Sequence, residues 1–391
     1  MATTSSAEPA SLLDAARSLV PLLQKHAQQG ERERRLPDPV ARALREAGFF
    51  RMFRPAALGG LEADPLTAMQ AIEELSRADG AAGWCAMICG ATGAFDAYLP
   101  AEGGKEMYAR PDVVTAGVFA PGGRAVEVEG GVRVTGRWAM ASACQHCDWL
   151  GGTAVVFDGL APRLSPAGVP QAVVPMFRAS ECTILDTWSA SGLAGTGSHD
   201  FAVADVFVPS RRCIRLPMAA PTHPAPLFAF PLFGLLASAV AATALGIARA
   251  ALDELLRLAA AKRPVGAAVP LAARPSTALA VAEAEATLGA ARAYLVEAAS
   301  ALWDAALSGK SISIRDRARV RLAATNAALG AARAVDLAFT AGGAAALYAE
   351  SPLQRCFRDV HAVTQHALVA PHTRDVQGRV LLGLDTEVPM F

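Results

Sequence analysis

The stretch GRWAMASACQHCDW, residues 136–149, decides how this chain is read. Its first half continues a strand-like run. Val126 and Val128, then Val132 and Val134, alternate across Gly130 and Gly131, the pattern of a hairpin with a glycine turn. Its second half holds Cys144 and Cys147 at metal-like spacing with His146 between them. A structural zinc takes four protein ligands, and no second Cys/His pair follows at finger or ribbon spacing, so no metal is expected. The seven cysteines, scattered and odd in number, read as buried reduced thiols rather than a disulfide framework.

Working outward, the strand-like character spans residues 113–212, in short β-branched runs such as VVTAGVF, TAVVF, QAVVPMF and HDFAVADVFVP, broken by Gly, Pro or Asp. A central antiparallel sheet or barrel is expected there. Upstream, over 10–112, apolar residues recur at three- and four-residue spacing, predicting an N-terminal helical domain, with Gly80 as a helix terminator. Downstream, over 224–391, long Ala/Leu-rich segments at 231–262, 275–308 and 314–341, with a final pair between 352 and 384, predict a four-helix bundle. Ser313 and Asp316 form a capping box before the third segment. The fold class is therefore α+β and multidomain, in the order helices, sheet, helices.

Composition narrows the function. The 391 residues are 53% hydrophobic and 18% charged, with zero formal net charge, which speaks against disorder and against a nucleic-acid partner. The N-terminus lacks a basic region followed by an apolar one, so no signal peptide is expected and the cytoplasm is the expected location. Between Arg215 and Arg249 no Asp, Glu, Lys or Arg occurs, and Leu227 to Gly246 is long enough for a bilayer. A helix buried on all sides of a bundle has the same look, and that reading is preferred to a membrane span.

Five segments, in order, carry a resemblance. They are AGFFRMFRPAALGGLEADP (47–65), GRWAMASACQHCDW (136–149), SGLAGTGSHDFAVADVFVP (191–209), FTAGGAAALYAESPLQRCFRDV (339–360) and HAVTQHALVAPH (361–372). Over residues 15–388 the chain resembles the acyl-CoA dehydrogenase superfamily. Dehydrogenases of that family use a carboxylate to remove a proton α to a thioester. The stretch after Arg358 and Asp359, which are expected to form a structural ion pair, contains no acid, and residues 216–248 carry none either. Both family positions for the base are empty. What remains resembles the two-component flavin-dependent monooxygenase branch, with oxygenase components acting on 4-hydroxyphenylacetate, steroid phenols and dibenzothiophene.

That resemblance implies reduced flavin (FMNH2 or FADH2) and O2, a flavin C4a-peroxide, a separate NAD(P)H:flavin reductase, a small aromatic or apolar substrate and a homotetramer. Ser142 takes the place of a hydroxyl that accepts from flavin N5–H; a strand serine satisfied by backbone is the plain alternative. Ala143 stands where the branch has Gly. His366 takes the acid–base place, suited by a side chain that titrates near neutrality, and His361 and His372 flank it. Trp138 packs on the flavin ring or fills the sheet. Gly195, Thr196 and Ser198 form a loop for close approach to flavin, or a simple turn. Arg263, Gly342 and Gly343 match positions that reach a neighbouring subunit's flavin, while a solvated helix end would also explain Arg263. Trp84 and His146 line the substrate pocket. A dehydrogenase with a displaced base and a flavin-free binding protein remain as alternative functions.

Overall fold

The computed structural model describes residues 11–384 except 167, 265 and 267; the two ends of the expected domain ranges, at residue 10 and over 385–391, lie outside the described residues. Five helices come first: α1 (Leu12–Glu33), α2 (Asp38–Glu46), α3 (Pro65–Ala78), α4 (Gly80–Phe95) and α5 (Ala101–Met107). Side chains start them. Ser11 accepts the Asp14 N–H, and Asp64 accepts the Leu66 and Thr67 N–H groups ahead of Pro65. Gly80 does not end α3 as the pattern suggested. The extended Asp79 ends it, and its carboxylate caps α4, which begins at Gly80. α4 is apolar around its whole circumference, because α3, the loop after α2 and the sheet all pack on it.

Eight strands follow: β1 (Thr115–Val128), β2 (Gly131–Ala141), β3 (Trp149–Asp158), β4 (Ala161–Pro162), β5 (Ala172–Arg178), β6 (Thr183–Leu185), β7 (His199–Pro209) and β8 (Cys213–Leu216). They form one sheet in the order β6-β7-β2-β1-β3-β5-β8, with β4 beside β3. The β1–β2 hairpin turns at Gly130, whose φ of 77° a side chain would resist, and pairs Val128 with Gly131. The sheet is mixed rather than antiparallel. β2 returns along β1, the chain reverses again through Cys144–His146, and β3 therefore runs parallel to β1 on its other edge.

Trp138 sits at the centre of this sheet, 1% exposed. It stacks on Phe201 at 4.8 Å and donates from Nε1 to the Thr153 carbonyl at 2.8 Å. Four glycines make its space: a Cβ added to Gly122, Gly123, Gly136 or Gly152 would come within 2.5–2.8 Å of the indole or the adjoining backbone. Trp138 is thus a core residue of the sheet, not a flavin platform, because its ring is already enclosed on both faces. Gly152→Ala is expected to cost about 1–3 kcal/mol by overpacking, read as a lower midpoint of denaturant unfolding.

The C-terminal region holds α6 (Pro226–Ala229), α7 (Leu232–Ala261), α8 (Pro275–Leu307), α9 (Ile314–Gly342), α10 (Pro352–Thr364) and α11 (Thr373–Leu381). Ser313 and Asp316 form the expected capping box on α9. α7 packs against α3, α9 and α10, with α8 and α11 against α9. Its Ala-rich surface permits close approach: a Cβ on Gly246 would lie 2.2 Å from the Glu73 carbonyl of α3. α7 is long and apolar enough to cross a bilayer, and 89% of its most apolar window is buried within the fold.

Candidate functional site

β2 ends at Ala141, and the chain turns through Ser142 and Ala143 into the 144–146 helical turn. Ala143 adopts φ 58° and ψ 13°, the left-handed conformation that glycine takes freely. The backbone at this branch-variant position therefore keeps a glycine-like course. It is held there because the Ala143 N–H donates to the Thr196 carbonyl at 2.9 Å. Buried thiols fasten this junction further, Cys144 between the two loops, Cys85 from α4 and Cys147 within the turn itself. Cys85 donates to the Thr196 carbonyl, Cys144 to the Gly197 carbonyl and Cys147 to the Ala143 carbonyl. All seven cysteines are free. Among the described residues no three His, Cys, Asp or Glu side chains converge as a metal site requires.

Ser142 lies at the centre of this junction, 6% exposed. Its Oγ accepts from Trp84 Nε1 of α4 at 2.9 Å and lies 2.8 Å from Ser198 Oγ. Ser198 is 2.6 Å from Thr196 Oγ1, which donates to the Leu193 carbonyl at 2.8 Å. Ser142, Thr196 and Ser198 thus form one hydroxyl cluster, neither a set of strand serines satisfied by backbone nor a bare turn. Gly195 serves packing: a Cβ there would meet Ala81 and the Gly30 backbone at 3.1–3.2 Å.

His366 follows α10 in a tight turn in which its carbonyl accepts from Val369 and Ala370. Its ring stands edge-on to Trp84, centroids 5.5 Å apart at 72°. Nδ1 accepts the Leu368 N–H at 3.3 Å, which leaves the ring proton on Nε2. Burial pushes its pKa down to about 4. The ring is therefore neutral at working pH and does not titrate near neutrality as expected from its type. Since the unfolded chain takes up this proton near pH 6.5 and the folded chain only near 4, the group removes stability as pH falls through that window. His361 lies elsewhere, 2.9 Å from Asp336.

Other expected site residues fall outside this group. His146 is tied through Nε2 to the Leu36 carbonyl at 3.0 Å, and its own carbonyl accepts from Arg45. That bonding makes it a fastener between the α1–α2 link and the turn after β2. Arg263 is exposed, with a 3.4 Å contact to the Ala268 carbonyl. It shares the far end of the bundle with Gly342, whose carbonyl accepts from Lys262 Nζ at 3.1 Å. Gly343 borders a groove of about 480 Å³ lined also by Arg274 and Arg333, cations that the sequence pattern did not single out. Arg358 and Asp359 are not an ion pair. Arg358 bonds Glu31 and the Ser191 carbonyl, while Asp359, 5% exposed, accepts the Leu193 N–H at 2.6 Å. Burial pushes the Asp359 carboxyl up to about 7 against the opposing Leu193 bond.

Helices flanking a mixed sheet, a long-helix bundle and this junction define a class, the acyl-CoA dehydrogenase fold. Family models agree: the acyl-CoA dehydrogenase N-terminal domain matches residues 6–107 and the C-terminal domain residues 238–371. Indole-3-acetate monooxygenase of Pseudomonas putida is 36% identical over 385 residues, 96% of each chain. The flavin-dependent monooxygenase oxygenase subunit HsaA of Mycobacterium tuberculosis H37Rv is 32% identical, covering 92% of each. The crystal structure of HsaA from M. tuberculosis superposes with a TM-score of 0.90 at 29% identity, over 98% of this chain and 100% of that one. XiaF from Streptomyces sp., solved in complex with FADH2 and glycerol, gives 0.90 at 26% identity over 98% of each chain. The chain belongs to the flavin-dependent monooxygenases of the acyl-CoA dehydrogenase superfamily.

Proposed function

We propose that the chain is the oxygenase component of a two-component system, taking FMNH2 or FADH2 from a separate NAD(P)H:flavin reductase and inserting one atom of O2 into a small aromatic substrate. One observation carries this reading. Ser142, Trp84 and His366 converge as neutral hydrogen-bonding groups, and among the described residues no carboxylate is bonded to any of them. A dehydrogenase base is thus missing from the place where one would act. The hydroxyl cluster and the neutral imidazole suit an uncharged flavin ring, because no formal charge opposes it. When bound, the flavin supplies the electrons that activate O2. Ser142 would accept a hydrogen bond from the flavin N5–H. His366 Nε2–H would donate to an oxygen of the substrate or of dioxygen, and the buried Trp84 edge would help exclude water.

Support for an aromatic substrate comes from the relatives, one named for indole-3-acetate and another, from Rhizobium sp., a FADH2-dependent resorcinol hydroxylase. The proposal extends to a cytoplasmic homotetramer with no membrane or nucleic-acid partner. Zero net charge, the burial of α7, and the exposed Arg263 and Gly343, open to a neighbouring subunit's flavin, support it. The decisive assay supplies photoreduced FMN or FAD and 18O2 with indole-3-acetate or resorcinol. One labelled oxygen in the product is expected, and the purified chain alone should not oxidise NADH. Release of all reducing equivalents as H2O2 with every substrate, together with flavin reduction by an acyl-CoA, would overturn the reading.

A further inference from the structure

A hydroxyl carries one proton, so a line of hydroxyls has a direction. At one end of the line at this site stands Trp84 Nε1, which can only donate. At the other stands the Leu193 carbonyl, which can only accept. Between them lie Ser142, Ser198 and Thr196, with successive spacings of 2.9, 2.8, 2.6 and 2.8 Å. Oxygens this close need a proton between them, since facing lone pairs repel.

The assignment follows from the carbonyl end. Thr196 gives its proton to Leu193, so its oxygen accepts from Ser198. Ser198 has then spent its proton and accepts from Ser142. Ser142 in turn has spent its only proton inward. Its oxygen takes the Trp84 N–H and keeps one lone pair unused. The reverse direction would leave the Thr196 and Leu193 oxygens 2.8 Å apart with no proton between them. Leu193 is fixed for this role. It holds φ 52°, its N–H is taken by the buried Asp359 at 2.6 Å, and its carbonyl also receives the Thr196 N–H and Trp188 Nε1.

We propose that Ser198 and Thr196 are positioning residues that hold Ser142 as a hydrogen-bond acceptor, so that the site selects reduced flavin over oxidised flavin. Reduced flavin presents N5–H, a donor, and oxidised flavin presents a bare N5, an acceptor; only the first matches an oxygen with its proton turned away. Trp84 occupies the other lone pair and narrows the direction from which N5–H is accepted. The inference rests on the oxygenase reading, in which Ser142 faces N5. Its consequence is a component that captures reduced flavin from the reductase and releases it once oxidised.

The test compares dissociation constants for oxidised FMN and anaerobically photoreduced FMN on the full chain, with thermal melting as a check of folding. Wild type should bind reduced FMN more tightly. Ser198→Ala frees the Ser142 proton to turn outward, and the oxidised-to-reduced ratio of dissociation constants should fall about tenfold, the worth of one hydrogen bond. That ratio corresponds to a bound-flavin potential about 30 mV more negative for a two-electron couple. Thr196→Val should act the same way through Ser198, and Ser198→Thr should restore the wild-type ratio. Trp84→Phe leaves the direction of the line intact, so the ratio should stay within twofold even where both affinities weaken. Equal weakening of both flavin forms in Ser198→Ala and Thr196→Val would overturn the proposal and leave the oxygenase reading standing. A wild-type chain that binds neither form would overturn the oxygenase reading itself. Because either variant alone reports the ratio, a folding failure in one leaves the other to decide.

Discussion

His366→Ala should lower the rate of substrate oxygenation by about 10²–10³-fold, the usual cost of removing one preorganised donor from a reacting oxygen. His366→Gln should recover part of that loss. The distinction follows from the protonation state. With Nδ1 accepting the Leu368 N–H and burial holding the pKa at about 4, the imidazole enters the reaction neutral, with its proton on Nε2. A donor role is then available at once, and a glutamine amide can imitate it. A general-base role would need Nε2 to be bare, and glutamine would be as poor as alanine. The pH profile separates the two further. A neutral donor gives an oxygenation rate that is flat from about pH 6 to 9 on account of this residue, declining only toward its pKa near 4. An acidic limb centred near the ordinary histidine value, abolished by His366→Gln, would sink the donor assignment. Single-turnover mixing of reduced flavin, O2 and substrate, with product and H2O2 measured together, supplies both readouts. In His366→Ala the share of H2O2 should rise.

Much of this architecture was legible because it rests on local periodicity. The long C-terminal helices fall within a residue or two of their apolar patterns, and the Gly130 turn and the Ser313–Asp316 cap are short-range signals. Ser142 and His366 were legible as candidates through motif order, and the structure sets both against Trp84. What escaped the sequence depends on distant partners. Nothing near Trp138 announces that Gly122, Gly123 and Gly152 will converge on its ring, or that Phe201 will stack on it. His146 is spoken for by Leu36, more than a hundred positions away, and Asp359 by Leu193. The parallel β1–β3 pairing arises from two successive reversals that a strand-by-strand reading cannot order. The low pKa of His366 is likewise a property of its enclosure, invisible in a residue type that ordinarily titrates near neutrality.

Arg54→Met should destabilise the fold by about 1–3 kcal/mol, the cost of leaving buried acceptors without their donor. Arg54 is fully buried, in the segment after α2, and its guanidinium does three things. It donates to the Val113 carbonyl at 2.7 Å, lies 3.9 Å over the Tyr108 ring, and faces Asp96 at 3.7 Å. Asp96, 2% exposed, immediately follows α4 and accepts from Tyr108 Oη at 2.5 Å. The node therefore clamps the end of the helix that carries Trp84 to the entry of β1. Burial pushes the Asp96 carboxyl up to about 7, with Arg54 and Tyr108 opposing the rise. The sign follows from that direction. Folded Asp96 keeps a proton that the unfolded chain releases near pH 4, so this group's contribution is largest below pH 4 and declines as pH rises through 7. Asp96→Asn should flatten that decline, since an amide keeps the Tyr108 bond and cannot ionise. Pairing Arg54→Met with Asp96→Asn should recover the part of the single-variant loss that grows between pH 5 and pH 8, where Asp96 would otherwise ionise without its cation. Urea unfolding midpoints at pH 5 and pH 8 on the four proteins measure all of this. An Arg54→Met chain with wild-type midpoints at both pH values would show that the clamp does not hold α4 in place.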